Sequence, residues 1–201
     1  MTSDFLLKLS ILQIMYKTVL FIDGGYLARI SKSFGQPKID FLTFSELLCD
    51  AYDDRLRTYY YYCMPFQSPL PSVEESSRYK NAEKFVKSLV KLSRFEVRLG
   101  RFQKIQSGSS AEYVQKGVDV MLAVDLVKMS WSKQIDKAIL LAADSDFIYA
   151  IQAAKDAGVS TKLCYSDKHP VNDSMFDVFD ERVVITNNLF GRCVLSPPQD
   201  K

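Results

Sequence analysis

Four aspartates stand where carboxylates could do chemistry: Asp23, Asp119, Asp144 and Asp146. Asp23 follows the apolar run Thr18–Ile22 (TVLFI). Asp144 follows Ala138–Ala143 (AILLAA), with Asp146 two residues further on. Short continuous apolar runs of this kind read as strands buried on both faces of a sheet. If the two strands are parallel, their carboxylates emerge at one edge. Aspartates gathered in a partly buried cleft repel one another, and a divalent cation or protonation relieves the repulsion at neutral pH. Oxygen-only ligation suits Mg²⁺ or Mn²⁺. Such an ion polarises a phosphoryl oxygen, generates hydroxide from water and stabilises a leaving oxygen.

Each aspartate taken alone also has a plainer explanation. Asp144 and Asp146 sit where a helix N-cap belongs. Asp119 lies in the first turn of the apolar stretch Gly117–Trp131, where a helix dipole favours a negative group. Capping explains Asp23 less well, because Gly24-Gly25 lets the backbone turn sharply or approach a ligand. Lys116, three residues before Asp119, could pair with it or hold a phosphate. Asp125 lies about 240° round an ideal helix from Asp119. It could pair with Lys128 or stand behind the cluster.

Other chemistries lack their residues. The chain has one histidine, His169, and four cysteines, Cys49, Cys63, Cys164 and Cys193, with no C-x-x-C pair. A structural zinc site and a histidine-based triad are therefore not expected. His169 precedes Pro170 in a polar stretch and reads as a loop residue. A dehydrogenase would need a G-x-G-x-x-G after the first strand. A haloacid-dehalogenase-type phosphatase would need D-x-D where Asp23-Gly24-Gly25 stands. The cysteine usage reads as reduced thiols in the cytoplasm. No run approaches the ~18 apolar residues of a membrane span, so no membrane partner is expected. The stretch Phe5–Met15 lacks the marks of a signal peptide.

The elements that must position the aspartates alternate. Strands are expected at Thr18–Ile22, Arg57–Cys63, Phe95–Leu99, Ala138–Ala143, Thr161–Tyr165 and Val183–Thr186. Helices are expected from Tyr26 to Ser33, over Phe41–Ala51, from a capping box at Ser72-Val73-Glu74-Glu75 to Leu92, over Gly117–Trp131, Phe147–Ala157 and Met175–Phe179. Gly158 is a good residue to stop a helix, and Ser107–Ser110 reads as a flexible turn. The four successive tyrosines of Arg57–Cys63 read as a strand with one face in the core. Alternation of this kind specifies an α/β fold with a mainly parallel sheet. Ligands of such sheets sit beyond the carboxyl ends of the strands, at a topological switch point. Residues 1–14 read as an extension, 15–190 as one domain and 191–201 as a tail.

The formal net charge of +2 conceals an uneven distribution. Between Arg78 and Lys104 nine basic residues face two acids, a balance of +7 that leaves −5 on the remainder. Lys80, Lys84, Lys87 and Lys91 recur on one helical face. That stripe is either a solvated surface or a polyanion-binding face. Arg98 and Arg101, beside Phe95 and Phe102, could support stacking on single-stranded bases.

Three blocks carry a resemblance. FIDGGYL (Phe21–Leu27), QKGVDVMLAVD (Gln115–Asp125) and LAADSDF (Leu141–Phe147) resemble, in order and spacing, the signature blocks of the NYN domain. This is the LabA-like branch of the PIN-like nuclease superfamily. The resemblance runs from about Lys17 to Asn187. It implies a Rossmann-like three-layer α/β/α fold with a mainly parallel central sheet. It also implies a Mg²⁺- or Mn²⁺-dependent ribonuclease that hydrolyses RNA phosphodiesters with metal-activated water. On that pattern Asp23, Asp119, Asp144 and Asp146 hold the metal. Lys116, Gly24, Tyr26, Ser145, Arg98 and Arg101 are the expected substrate contacts, and Asp125 stands behind the metal residues. Two departures are visible: Tyr26 stands where many relatives have Asn, and Ala142-Ala143 precede Asp144 where Ser-Gly is common. The expected partner is single-stranded or structured RNA. The alternative is a non-catalytic RNA-binding or regulatory module. The Tyr-rich strand and residues 1–14 are candidate contacts between copies of the chain.

Overall fold

The computed structural model describes the backbone of residues 15–107 and 110–195, and the side chains of residues 15–101 and 117–195. The elements follow in the order β1 (Tyr16–Asp23), α1 (Gly24–Ser33), α2 (Phe41–Leu48), β2 (Asp53–Cys63), α3 (Val73–Val90), β3 (Phe95–Ser107), β4 (Ser110–Lys116), α4 (Val118–Trp131), β5 (Lys137–Leu141), a 3₁₀ turn (Ser145–Phe147), α5 (Ile148–Asp156), β6 (Ser160–Tyr165), α6 (Asp173–Val178), β7 (Glu181–Val184) and α7 (Asn187–Gly191).

Seven strands form one sheet in the order β4-β3-β2-β1-β5-β6-β7. Six of them are parallel, and only β4 runs antiparallel, against β3. From β1 the chain winds outward to β2 and β3 and then returns to β5 on the other side of β1. The switch point therefore lies between the carboxyl ends of β1 and β5, the place where such sheets bind ligands.

Two apolar clusters fill the spaces between three layers. One gathers alternate residues of the central strands, such as Phe21, Tyr61 and Leu140, with Leu122 and Leu126 of α4 and Ile151 of α5. The other gathers the intervening residues, such as Ile22, Tyr60 and Leu141, with Ile30 of α1, Phe44 of α2, Leu89 of α3 and Phe190 of α7. This is the α/β/α sandwich expected of the apolar runs: α1, α2, α3 and α7 cover one face, and α4, α5 and α6 the other.

Several boundaries differ from those read in the sequence. The tyrosines of β2 bury both faces rather than one, because β2 is an interior strand. That position also removes β2 as a sheet-edge contact between copies of the chain. Helix α2 stops at Leu48, where Cys49 turns extended and Asp50 swings to meet two lysines. Strand β3 runs on to Ser107 and pairs with β4, a strand absent from the sequence reading. Helix α4 is not buried on every apolar side: Val118, Leu122, Leu126 and Met129 face the core, while Val120, Val124 and Trp131 are exposed. Beyond residue 190 the chain stays docked. Cys193 is buried, Val194 bridges to Ile39, and Leu195 donates its N–H to the Lys38 carbonyl at 2.8 Å. Residues 1–14 lie outside the described residues, as does the centre of the expected turn at 107–110. Gly158 has the left-handed φ of +84° expected of a residue that ends a helix.

Candidate active site

The register of β1 and β5 pairs Ile22 with Leu141. Asp23 therefore leaves β1 beside the residues that lead to Asp144. Both aspartates turn the chain into helix by capping it: Asp23 Oδ1 accepts the Gly25 N–H at 2.8 Å, and Asp144 Oδ1 accepts the Asp146 N–H at 3.0 Å. The capping explanation is thus correct for both. It leaves each aspartate at the sheet's carboxyl edge.

Asp119 enters from the first turn of α4. A cavity of about 220 Å³ is lined by Asp23, Gly25, Arg29, Val118 and Asp119. Burial raises the Asp23 carboxyl pKa, opposed by the backbone N–H groups of Tyr26 and Gly25, with the charge of Asp119 adding to the rise. Burial also raises Asp119, reinforced by Asp144 and then Asp146. Asp119 thus faces Asp23 across this cavity and feels the charge of Asp144 and Asp146, while Asp146 lines a separate cavity with Tyr149 and Ala150.

The four carboxylates do not converge tightly. Among the described residues no three Asp, Glu, His or Cys side chains gather closely enough to hold a metal ion directly. The donors are nevertheless all oxygen, two of them are held up in pKa by burial and like charge, and the crevice is open. Mg²⁺ usually keeps several waters and takes only one or two carboxylates. The donor set therefore fits a hydrated divalent ion better than a dry cage.

The other expected site residues divide. Ser145 lies within the 3₁₀ turn between Asp144 and Asp146. Lys116 closes β4 immediately before α4, and its side chain lies outside those described. Gly24 lies beside the crevice, but its requirement is one of packing. A Cβ there would stand 2.8 Å from both the Tyr61 carbonyl and the Tyr60 ring. Tyr26 turns away into the core, only 1% exposed. Its hydroxyl donates to the His169 carbonyl at 2.7 Å and accepts the Ser166 N–H at 3.2 Å. Its role is to fasten the loop after β6, so its side chain is not a substrate contact. His169 is the loop residue expected.

Asp125 does not pair with Lys128. It accepts the Tyr61 hydroxyl at 2.9 Å and lies 3.3 Å from Arg98 Nε. Tyr61 in turn lines a second cavity with Asp23. Asp125 thereby ties α4 to β2 through Tyr61. Arg98 is committed to Glu96 at 2.8 Å and Asp125, with its guanidinium over the Tyr59 ring. Phe95 is buried. The expected stacking pair at Arg98 and Phe95 is thus replaced by an ion-pair network. Arg101 is exposed, and the side chain of Phe102 lies outside those described.

Arg29 was not anticipated. It lines the 220 Å³ cavity and lies 5.6 Å from the Tyr26 ring centre. The signal was helical spacing: Gly25 and Arg29 are i and i+4, so a residue four beyond the Gly-Gly turn shares its face.

The family model for the NYN domain matches residues 17–186. The chain belongs to the NYN domain family. The match covers all three sequence blocks and every strand but the first residue of β1. None of the curated proteins compared matches the chain. Among solved structures, this NYN domain is similar to a protein of unknown function from Vibrio parahaemolyticus. The TM-score is 0.59 at 14% identity, over 90% of this chain and 97% of that one. That likeness concerns the fold. No helix among the described residues is long and apolar enough to cross a membrane.

Proposed function

We propose that this NYN domain is a divalent-metal-dependent ribonuclease acting on single-stranded or structured RNA. The observation that carries the reading is the placement of Asp23 and Asp119 in one crevice at the switch point of the sheet, with Asp144 and Asp146 close enough for their charge to act on Asp119. These four would hold a hydrated Mg²⁺ or Mn²⁺. Such an ion would supply charge for the phosphoryl oxygens and would lower the pKa of a bound water toward neutrality. The chain's own contribution is positioning. Arg29 stands at the rim to meet a phosphate oxygen, and Lys116 offers a second cation from the end of β4. Gly25 keeps the backbone low beside the scissile group. Asp125 fixes Tyr61 against the crevice wall. Four cysteines without disulfides support a reducing, cytoplasmic setting.

A second reading is favoured by the caps. Asp23 and Asp144 each hold a backbone N–H, so both would be kept for folding alone. The domain would then bind RNA without turnover. Cleavage of a labelled single-stranded RNA decides between the two. Wild type with Mn²⁺ should cut, EDTA should abolish cutting, and Asp144→Asn should lower the rate by roughly a hundredfold or more, the scale on which lost transition-state electrostatics acts. Binding without turnover in every case would favour the second reading. Equal turnover in all three would sink the metal-dependent one.

A further inference from the structure

A larger cavity of about 480 Å³ opens on the other side of Gly24, between α1 and α3. Its walls are aromatic: Phe41 from α2, Tyr60 and Tyr62 from β2, and Phe85 from α3. Phe85 meets Tyr60 and Tyr62 edge to face and Phe41 at a tilt, with centroids 5.4–5.9 Å apart. Phe41, Tyr62 and Phe85 are only half-buried, so ring surface remains open to an occupant. Tyr60 is 4% exposed, and its ring forms part of the cavity wall. Ser31, Gln36 and Ser88 add polar groups to the lining. The cavity thus wants a flat apolar body with a polar rim.

Two further observations restrict that body. The first is continuity. A bridging cavity of about 290 Å³ shares Asp23 and Gly25 with the carboxylate crevice, and Gly24, Ala28 and Tyr62 with the aromatic cavity. The second is charge. Lys38 lines the aromatic cavity, and Lys84 and Lys87 immediately precede its Phe85 and Ser88 on α3. The basic stripe therefore runs beside the cavity, about 100° round the helix. A polyanion with flat, polar-edged groups fits both.

We propose that the aromatic cavity holds one unpaired nucleobase of a single-stranded RNA, while a neighbouring phosphate lies at the carboxylate crevice. The proposal rests on reading that crevice as an RNA site. The base stacks on Tyr62 and Phe85, meets the Tyr60 hydroxyl with its polar edge, and leads its backbone along the lysines. A duplex cannot offer an unpaired base here, so the cavity selects single strands.

The test uses the full chain in EDTA, with short single-stranded RNAs carrying 2-aminopurine at successive positions. One position should be quenched by stacking on wild type. Tyr62→Ala should abolish that quench and weaken binding roughly 5- to 150-fold, the range for one lost base stack. Tyr60→Phe keeps the ring, and so the packing, and should weaken binding by a smaller factor. An abasic nucleotide at the quenched position should remove the difference between wild type and Tyr62→Ala. Unchanged affinity in Tyr62→Ala, or no quenched position, would overturn the proposal. So would quenching that appears only after removal of residues 196–201, which would make the chain's own end the occupant. So would free 2-aminopurine riboside monophosphate binding as tightly as the strand. Asp144→Asn should keep the quench. Quench with no cleavage by wild type would sink the nuclease reading alone, and cleavage with no quench would sink the base site alone.

Discussion

Gly24 shows how one missing atom can shape a site. With a Cβ it would press on the Tyr61 carbonyl, which is backbone and cannot swing aside. Gly24→Ala should therefore destabilise the fold by about 1–3 kcal/mol, the usual cost of overpacking, despite alanine's better helix propensity. Urea midpoints at unchanged slope would measure it. A stabilised variant would contradict the close approach. The glycine pair was legible as special in the sequence, yet the reason was not. A strand-to-helix turn suggested ligand approach, whereas the pressing neighbour is a residue of β2 some 37 positions away. Tyr26 carries the same lesson. Its place in the first block pointed to the substrate, but its bulk and hydroxyl found the core and the His169 loop. Distant packing decides such roles, and local spacing does not report it.

At the scale of elements, the strands with continuous apolar runs were read closely, because burial on both faces leaves no other pattern. The continuation of β3 past Leu99 and its partner β4 escaped because their residues are mixed and mostly polar, with no face marked for burial. The amino end of the sheet was also illegible. There Lys137 and Lys162, 5% and 3% exposed, meet Asp50 at 2.7 and 2.8 Å, and Lys137 meets Glu181 at 3.0 Å. Lysines inside buried strands read as exceptions until α2 and β7 bring their acids. Burial alone would raise the Asp50 pKa, but its hydrogen bonds from Lys137 and Lys162 outweigh that and lower it. A carboxylate lowered in the folded state stabilises above its unfolded pKa of about 3.9, and that stability is lost as pH falls through the folded value. Asp50→Asn should therefore be less stable than wild type at pH 7, with the two curves converging below about pH 4. Urea unfolding across that range checks the sign. A gap that persists at the lowest pH would show that charge at Asp50 is not its source.

At the scale of the molecule, the near-neutral total hides two territories that meet at Gly24. One is the layer of α1, α2 and α3, with its aromatic cavity and the exposed lysines of α3. The other is the crevice between β1, α4 and the turn after β5, where acid gathers. The alternating pattern made the sheet and its switch point readable, and Asp23 and Asp119 line a crevice beside that point. How closely those aspartates approach depends on loop and helix placement that no spacing fixes. Their service as one cation site is the central claim. Titration of Mn²⁺ followed by electron paramagnetic resonance tests it most directly, using wild type and the isosteric Asp23→Asn, Asp119→Asn and double variants. The account predicts a bound Mn²⁺ whose affinity falls at least about tenfold in each single variant, with the double variant binding none at the same concentrations. Wild-type and double-variant titrations that superimpose would contradict it.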